Sequence, residues 1–116
     1  MKVGIIVREE TMLRCTGGGC INSFSKRIDS FERYVNEETL ELVAFTHNGG
    51  DIDKKIESLK SKEVDVVHLS SCLRAKDENY ETLAKKLAEY FNVVGYTHGD
   101  EIGKNRDSII LNKVNT

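Results

Sequence analysis

Short, nearly continuous apolar runs alternate along the chain with segments whose apolar residues recur every three or four positions. The runs extend over Lys2 to Arg8, Leu40 to His47, Val64 to Cys72 and Val93 to His98. Apolar runs of this length are typical of parallel strands that are buried on both faces. The alternation therefore predicts an α/β fold in which helical crossovers join parallel strands.

Between and after these runs, apolar residues recur at the spacing of an amphipathic helix. Three such segments are defined by Ile21, Phe24, Ile28, Phe31 and Val35, by Ile52, Ile56 and Leu59, and by Leu83, Leu87 and Phe91. The first predicts one continuous helix over residues 21–35, with charged residues on its solvent side. The last apolar segment, Ser108 to Leu111, fits a fifth strand or a short packed segment, and we favour the strand.

Length and composition limit the chain to one hydrophobic core. It has 116 residues, 39% hydrophobic and 31% charged, which is enough for one domain and too few for two. We therefore expect residues 1–116 to form a single three-layer α/β domain with a mainly parallel sheet of four or five strands, flavodoxin-like or Rossmann-like in form. Proline is absent and cysteine occurs three times, which excludes Pro-rich, collagen-like and disulfide-framework classes.

Charge and targeting signals narrow the range of partners. The chain has 17 Lys and Arg residues, 19 Asp and Glu residues and a net charge of −2, without a basic stripe, so we expect no nucleic-acid partner. The apolar runs are far shorter than the ~20 residues that cross a bilayer. The first residues lack the features of a secretory signal, so we expect no membrane partner either. An odd number of cysteines then favours the reducing cytoplasm, and the small-molecule partner stays open.

The residues with the most useful chemistry follow the ends of the predicted strands. These segments are Arg14 to Cys20, Thr46 to Asp51, Ser70 to Cys72 and Thr97 to Gly99. In open α/β sheets, ligands bind beyond the carboxyl ends of the strands, where connecting loops and helix N-termini converge. The predicted topology therefore brings Cys, His and Asp side chains from distant parts of the sequence to one rim of the sheet.

A metal site is one interpretation of this rim. Cys15 and Cys20 are separated by four residues that include three glycines, so the backbone between them can fold tightly. Cys72 and His98 complete a four-ligand set whose sulfur and imidazole donors suit zinc or iron. Free cysteines also occur as small buried side chains, and Gly-rich loops also occur as simple turns. The spacing alone therefore leaves open both a metal site and a purely structural role.

The other histidines and Asp51 have weaker claims to a metal. His47 and Asp51 are candidates for an outer shell around the ligands or for substitute ligands. Asp51 follows a Gly-Gly turn and precedes the second helical segment, which favours a helix N-cap over a ligand. His68 lies inside the third strand, where a hydrogen-bonded core histidine is the better interpretation.

Two further classes of function compete with metal binding. The backbone amides of Thr16, Gly17, Gly18 and Gly19 lead into a predicted helix and are suited to a small anion or nucleotide. The loop lacks the residues of a P-loop, and no dinucleotide fingerprint is present. A thiol redox function also stays open because a cysteine near a helix N-terminus can have a lowered pKa. No residue can be assigned a catalytic function from the sequence.

Five segments of the chain are similar to the CGGC-domain proteins of bacteria and archaea. They are Arg14 to Cys20, Phe31 to Tyr34, Glu41 to Phe45, Val64 to Cys72 and Val93 to His98. The resemblance covers about residues 1–98 and is most specific in the fourth segment. The recurrent Cys and His residues of that family imply a zinc or other metal site.

The resemblance also shows where this chain departs from the family. Asn48, Gly49, Gly50 and Asp51 occupy the positions of the Cys-Gly-Gly-Cys motif that names the family, so the chain resembles a divergent member without that motif. Only Cys15, Cys20, Cys72 and His98 carry over by position. Iron–sulfur clusters generally take four cysteines, so the resemblance implies zinc as the metal.

Overall fold

A five-stranded sheet forms the centre of the computed structural model, which describes residues 1–114. The strands are β1 (Lys2–Val7), β2 (Glu41–His47), β3 (Val66–Leu69), β4 (Asn92–Val94) and β5 (Ile110–Leu111). Their order is β2-β1-β3-β4-β5, with the first four parallel and β5 antiparallel to β4. The predicted fold class is confirmed, since this is the flavodoxin-like order. The favoured fifth strand is present as an edge strand.

Helices cover both faces of the sheet. They are α1 (Gly18–Lys26), α2 (Ile52–Ser61), α3 (Ser71–Lys76) and α4 (Tyr80–Ala88), with 3-10 helices at Thr11–Leu13 and Asp29–Tyr34. Successive side chains of a strand point to opposite faces. Val3, Ile5 and Val7 accordingly pack with Cys20 of α1, whereas Ile6 packs in a second core with α2, α3 and α4. Three layers result. No helix within residues 1–114 is long and apolar enough to cross a membrane.

The continuous helix predicted over residues 21–35 is wrong. α1 ends at Lys26, and Arg27 and Asp29 have φ values of 51° and 55°, which a helix cannot contain. The Arg27 amide bonds to the carbonyls of the last turn of α1, and its guanidinium donates to the carbonyls of Tyr34 and Glu37. These bonds stabilise the break, which turns Phe31 and Tyr34 into the core.

The third and fourth strands end earlier than the apolar pattern indicates. β3 ends at Leu69, and the Ser70 hydroxyl accepts the Leu73 amide, so that Cys72 lies in the first turn of α3. β4 ends at Val94, and Gly95 follows in close contact with α4: a Cβ there would stand 1.9 Å from the Tyr80 hydroxyl. The Gly95 amide still donates to the Ile109 carbonyl at 2.8 Å, so one backbone bond to the segment before β5 continues past the end of β4.

The neighbouring strands β1 and β3 send their connections to opposite faces of the sheet. α1 follows β1 on one face, whereas α3 and α4 follow β3 on the other. A crevice opens between connections that diverge in this way, and it is the usual ligand position in open α/β sheets. We call this place the switch point.

Candidate functional site at the switch point

The loop after β1 brings two thiols to the switch point. Cys15 is exposed, and its sulfur accepts the Gly17 amide at 3.3 Å. Gly17 has a φ of 81° and lies against Phe45, since a Cβ at this position would stand 2.7 Å from the ring. Only glycine fits this turn, which starts α1 and places Cys20, a buried residue, in its first helical turn.

The third thiol reaches the rim from β3. Cys72 is half-buried in the first turn of α3, and its sulfur lies 2.8 Å from the Ser70 hydroxyl. The same hydroxyl accepts the Leu73 amide, so the residue that caps α3 also contacts the thiol. The sequence did not indicate this double role.

The loop after β4 joins the two thiol-bearing segments. Thr97 Oγ1 lies 3.1 Å from Cys20 Sγ and accepts the Ser71 amide at 3.4 Å. The Ser71 hydroxyl donates to the His98 carbonyl at 2.6 Å. The His98 ring lies against α1, because a Cβ on Gly19 would stand 3.2 Å from its Nε2. The four sequence-predicted ligands are therefore on the connections that follow three adjacent strands, β1, β3 and β4, at one rim of the sheet.

Burial and charge act together on Cys20. Burial raises the pKa of the Cys20 thiol above its ordinary value, and the hydrogen bond with Thr97 acts in the opposite direction. Negative charges on Cys72 and Cys15 raise the Cys20 pKa further. The Cys20 thiol therefore loses its proton less readily than an exposed cysteine does.

Zinc fits the kind of donors at this rim, since three sulfurs and an imidazole match its preference for four N and S ligands. In the structure, however, the side chains of Cys15, Cys20, Cys72 and His98 are not arranged around a common centre. Within residues 1–114, no group of three or more His, Cys, Asp and Glu side chains is placed to hold a metal ion. The sulfurs instead contact Gly17, Thr97 and Ser70.

His47 is the last residue of β2 and Asp51 lies in the loop that follows, on the far side of β1 from β3. Asp51 Oδ1 accepts the Lys54 amide at 3.2 Å, which confirms the N-cap. His47 Nδ1 accepts the Gly49 amide at 3.0 Å and lies 3.3 Å from Glu9 Oε2. In the described part of the chain, these bonds go to neighbouring loop residues rather than to thiols. A role of this loop around a metal stays a prediction.

His68 is a core histidine, as its place in the third strand predicted. Its Nδ1 lies 3.0 Å from the Tyr96 carbonyl and its Nε2 lies 2.8 Å from the Tyr34 hydroxyl. Phe31 stacks on the ring with centroids 4.1 Å apart. Burial lowers the pKa of His68 to about 3, so the ring is neutral at physiological pH.

Sequence reasoning missed Arg74 and Glu9. Arg74 is 9% exposed and donates to the carbonyls of Asp100 and Glu101. The Glu9 carboxylate lies over Gly49 beside His47. Each contact joins two segments that are more than 25 residues apart along the chain. No local pattern in the sequence signals such contacts.

Comparison with known proteins gives one family match. The family described as the CGGC domain matches residues 2–98, which include β1 to β4 and all three thiols. No curated protein and no solved structure matches the chain. With most of its length matched, the chain belongs to the CGGC domain family.

Proposed function

We propose that this domain binds a soft metal ion, with zinc as the first candidate, through Cys15, Cys20, Cys72 and His98. The observation that carries the proposal is that Thr97 contacts both the Cys20 sulfur and the amide next to Cys72, so that free thiols from two connections lie at the switch point. Negative charge on Cys15 or Cys72 disfavours the Cys20 thiolate, and a bound cation would relieve that repulsion. Membership of a family rich in Cys and His residues supports the same conclusion.

Metal binding requires the thiols to exchange their present partners. Cys15 would leave the Gly17 amide, Cys72 would leave Ser70, and Cys20 would leave Thr97. The first of these movements needs only a rotation of the Cys15 side chain, which is exposed. A bound zinc ion supplies either a structural cross-link or Lewis acidity. Cys20 must lose its proton to bind the metal, so metal binding should weaken as the pH falls.

A metal-free anion or nucleotide site on Thr16, Gly17, Gly18 and Gly19 is the alternative from a different class. Two contacts weaken it. The Gly17 amide already donates to the Cys15 sulfur, and Gly19 packs against the His98 ring. A thiol redox function is weakened by the raised pKa of Cys20, since reactive cysteines have lowered pKa values.

We also infer a reducing compartment, the cytoplasm, as the place where this domain works. All three cysteines are free in the structure. Thiols that are close together persist as ligands only where they are kept reduced.

The metal content of untagged, anaerobically purified protein tests the proposal. We expect close to one equivalent of zinc, or its uptake on titration against a chromophoric chelator, and a thiolate-to-metal absorption band on replacement by cobalt(II). Less than about a tenth of an equivalent with no uptake would overturn the proposal.

Single variants then assign the ligands. Cys15→Ser, Cys20→Ser, Cys72→Ser and His98→Ala should each weaken metal binding by at least roughly tenfold. Ser25→Ala is the matched control, because Ser25 is an exposed residue of α1 to which no metal-binding role is assigned. Equal affinity in all five variants would also overturn the assignment.

A further inference from the structure

A cavity of about 460 Å³ opens beside α3, between the loops that follow β3 and β4. Cys72 and His98 line its inner side, and residues 103–106 form its outer wall. Its size lies within the range of small-molecule sites. It opens at the carboxyl edge of the sheet, where ligands of this architecture bind.

The charge of this cavity is opposite to that of the chain. Arg74, Lys104 and Arg106 line it, and its lining within residues 1–114 includes no Asp or Glu. None of the ion pairs in this part of the chain involves these three cations. Positive charge is thus concentrated in one cavity of a protein whose net charge is −2.

Neutral acceptors hold the two guanidinium groups in place. Arg74 Nη1 donates to the carbonyls of Asp100 and Glu101, at 2.7 and 3.1 Å, and to the Ser108 hydroxyl at 2.6 Å. Arg106 donates to the backbone carbonyls of Arg74 and Asp77. Each guanidinium also lies over a tyrosine ring, Tyr96 for Arg74 and Tyr80 for Arg106, but none of these partners carries a full negative charge.

Gly103 lets the outer wall close over Arg74. A Cβ at this position would stand 2.5 Å from the Arg106 carbonyl and 3.0 Å from Arg74 Nε. The guanidinium of Arg74 is therefore held between α3 and the wall before any ligand arrives. Preorganised donors lose little conformational entropy on binding.

We propose that this cavity binds a small organic anion, a carboxylate or a phosphate monoester, with Arg74, Lys104 and Arg106 as its cationic wall. The volume exceeds what a bare inorganic ion fills, which favours an anionic group on a small organic body. The ligand would lie beside Cys72 and His98. The proposal does not depend on the metal.

NMR titration of metal-free protein in chelator tests the proposal, with inorganic phosphate, phenyl phosphate and benzoate as probes and benzamide as the neutral control. We expect saturable shifts in the amides of residues 99–106, from phenyl phosphate, benzoate or both, that weaken with added salt. The relative affinities of phenyl phosphate and benzoate distinguish a phosphate ligand from a carboxylate ligand. Benzamide should produce no shifts.

Lys104→Gln should weaken binding of the better probe roughly three- to tenfold, because Lys104 is exposed and its loss leaves the fold intact. Lys62→Gln is the matched control, an exposed lysine at the end of α2. No saturable shift, equal weakening in both variants, or shifts confined to Gly17 to Gly19 would each overturn the proposal. A failed zinc titration leaves these outcomes unchanged, so the two proposals can fail separately.

Discussion

The Tyr34 hydroxyl donates a hydrogen bond of 2.8 Å to Nε2 of His68, across the interface between the 3-10 helix Asp29–Tyr34 and β3. Burial raises the pKa of Tyr34, so the phenol keeps its proton. The Tyr96 carbonyl can only accept, so Nδ1 of the neutral ring carries the proton and Nε2 accepts from the Tyr34 hydroxyl. This pair holds the broken segment after α1 on the sheet.

The free energy of unfolding should decrease as the pH is lowered, because His68 is neutral in the folded protein. Its pKa is about 3 in the folded protein and about 6.5 when unfolded, so the unfolded state binds the extra proton between these values. The contribution is therefore complete above pH 6.5 and is lost as pH falls toward 3. We expect His68 to lower the free energy of unfolding by about 2 kcal/mol between pH 8 and pH 5. Urea unfolding at both pH values measures the total change, and NMR titration of the His68 ring assigns it. A ring that protonates near 6.5 would contradict this account.

Tyr34→Phe should destabilise the fold by about 1–3 kcal/mol, because it leaves the buried His68 Nε2 without a donor. Tyr90→Phe is the matched control, since Tyr90 is only half-buried and its described contacts are made by the ring. Urea unfolding at pH 8 measures both variants. Equal costs would show that the hydrogen bond is unimportant.

The pKa of Cys20 should respond to its three neighbours in opposite directions. Cys15→Ser with Cys72→Ser should lower it, because two negative charges are removed. Adding Thr97→Val should raise it again, because the hydrogen bond that favours the thiolate is lost. Ultraviolet absorbance of the thiolate against pH measures the single remaining thiol. An unchanged pKa after the second step would show that the contact with Thr97 carries no energy.

Gly95→Ala should destabilise the protein by about 2–4 kcal/mol, because the new methyl group would meet the Tyr80 hydroxyl and the Ile109 backbone. Tyr80 donates to the Gly95 carbonyl at 2.6 Å and accepts the Ile109 amide, so displacing it should also loosen β5. Hydrogen exchange at Leu111 reports that loosening. Gly18→Ala is the control: it replaces the first helical residue of α1 and should cost nothing. Equal stability of the two variants would contradict the packing argument.

Some of the molecule follows from the sequence alone. The aliphatic run of β1 requires burial on both faces, and the alternation with helical spacing leads to a parallel α/β sheet. The Asp51 cap is equally local, because a carboxylate and the amide three residues later meet in any helix start. The same locality placed the candidate ligands at strand ends.

Tertiary structure decided the rest, because the deciding contacts join residues that are far apart along the chain. The periodicity from Ile21 to Val35 predicts one helix, yet Tyr34 reaches His68 only if the helix breaks after Lys26. Thr97 beside Cys20, and Arg74 under the loop at 100–108, likewise have no local pattern. A periodic pattern records which residues are buried, whereas the partner of each buried group is chosen by packing between elements. The sequence by itself therefore determined the architecture and the rim, and only the folded chain decided which groups meet there.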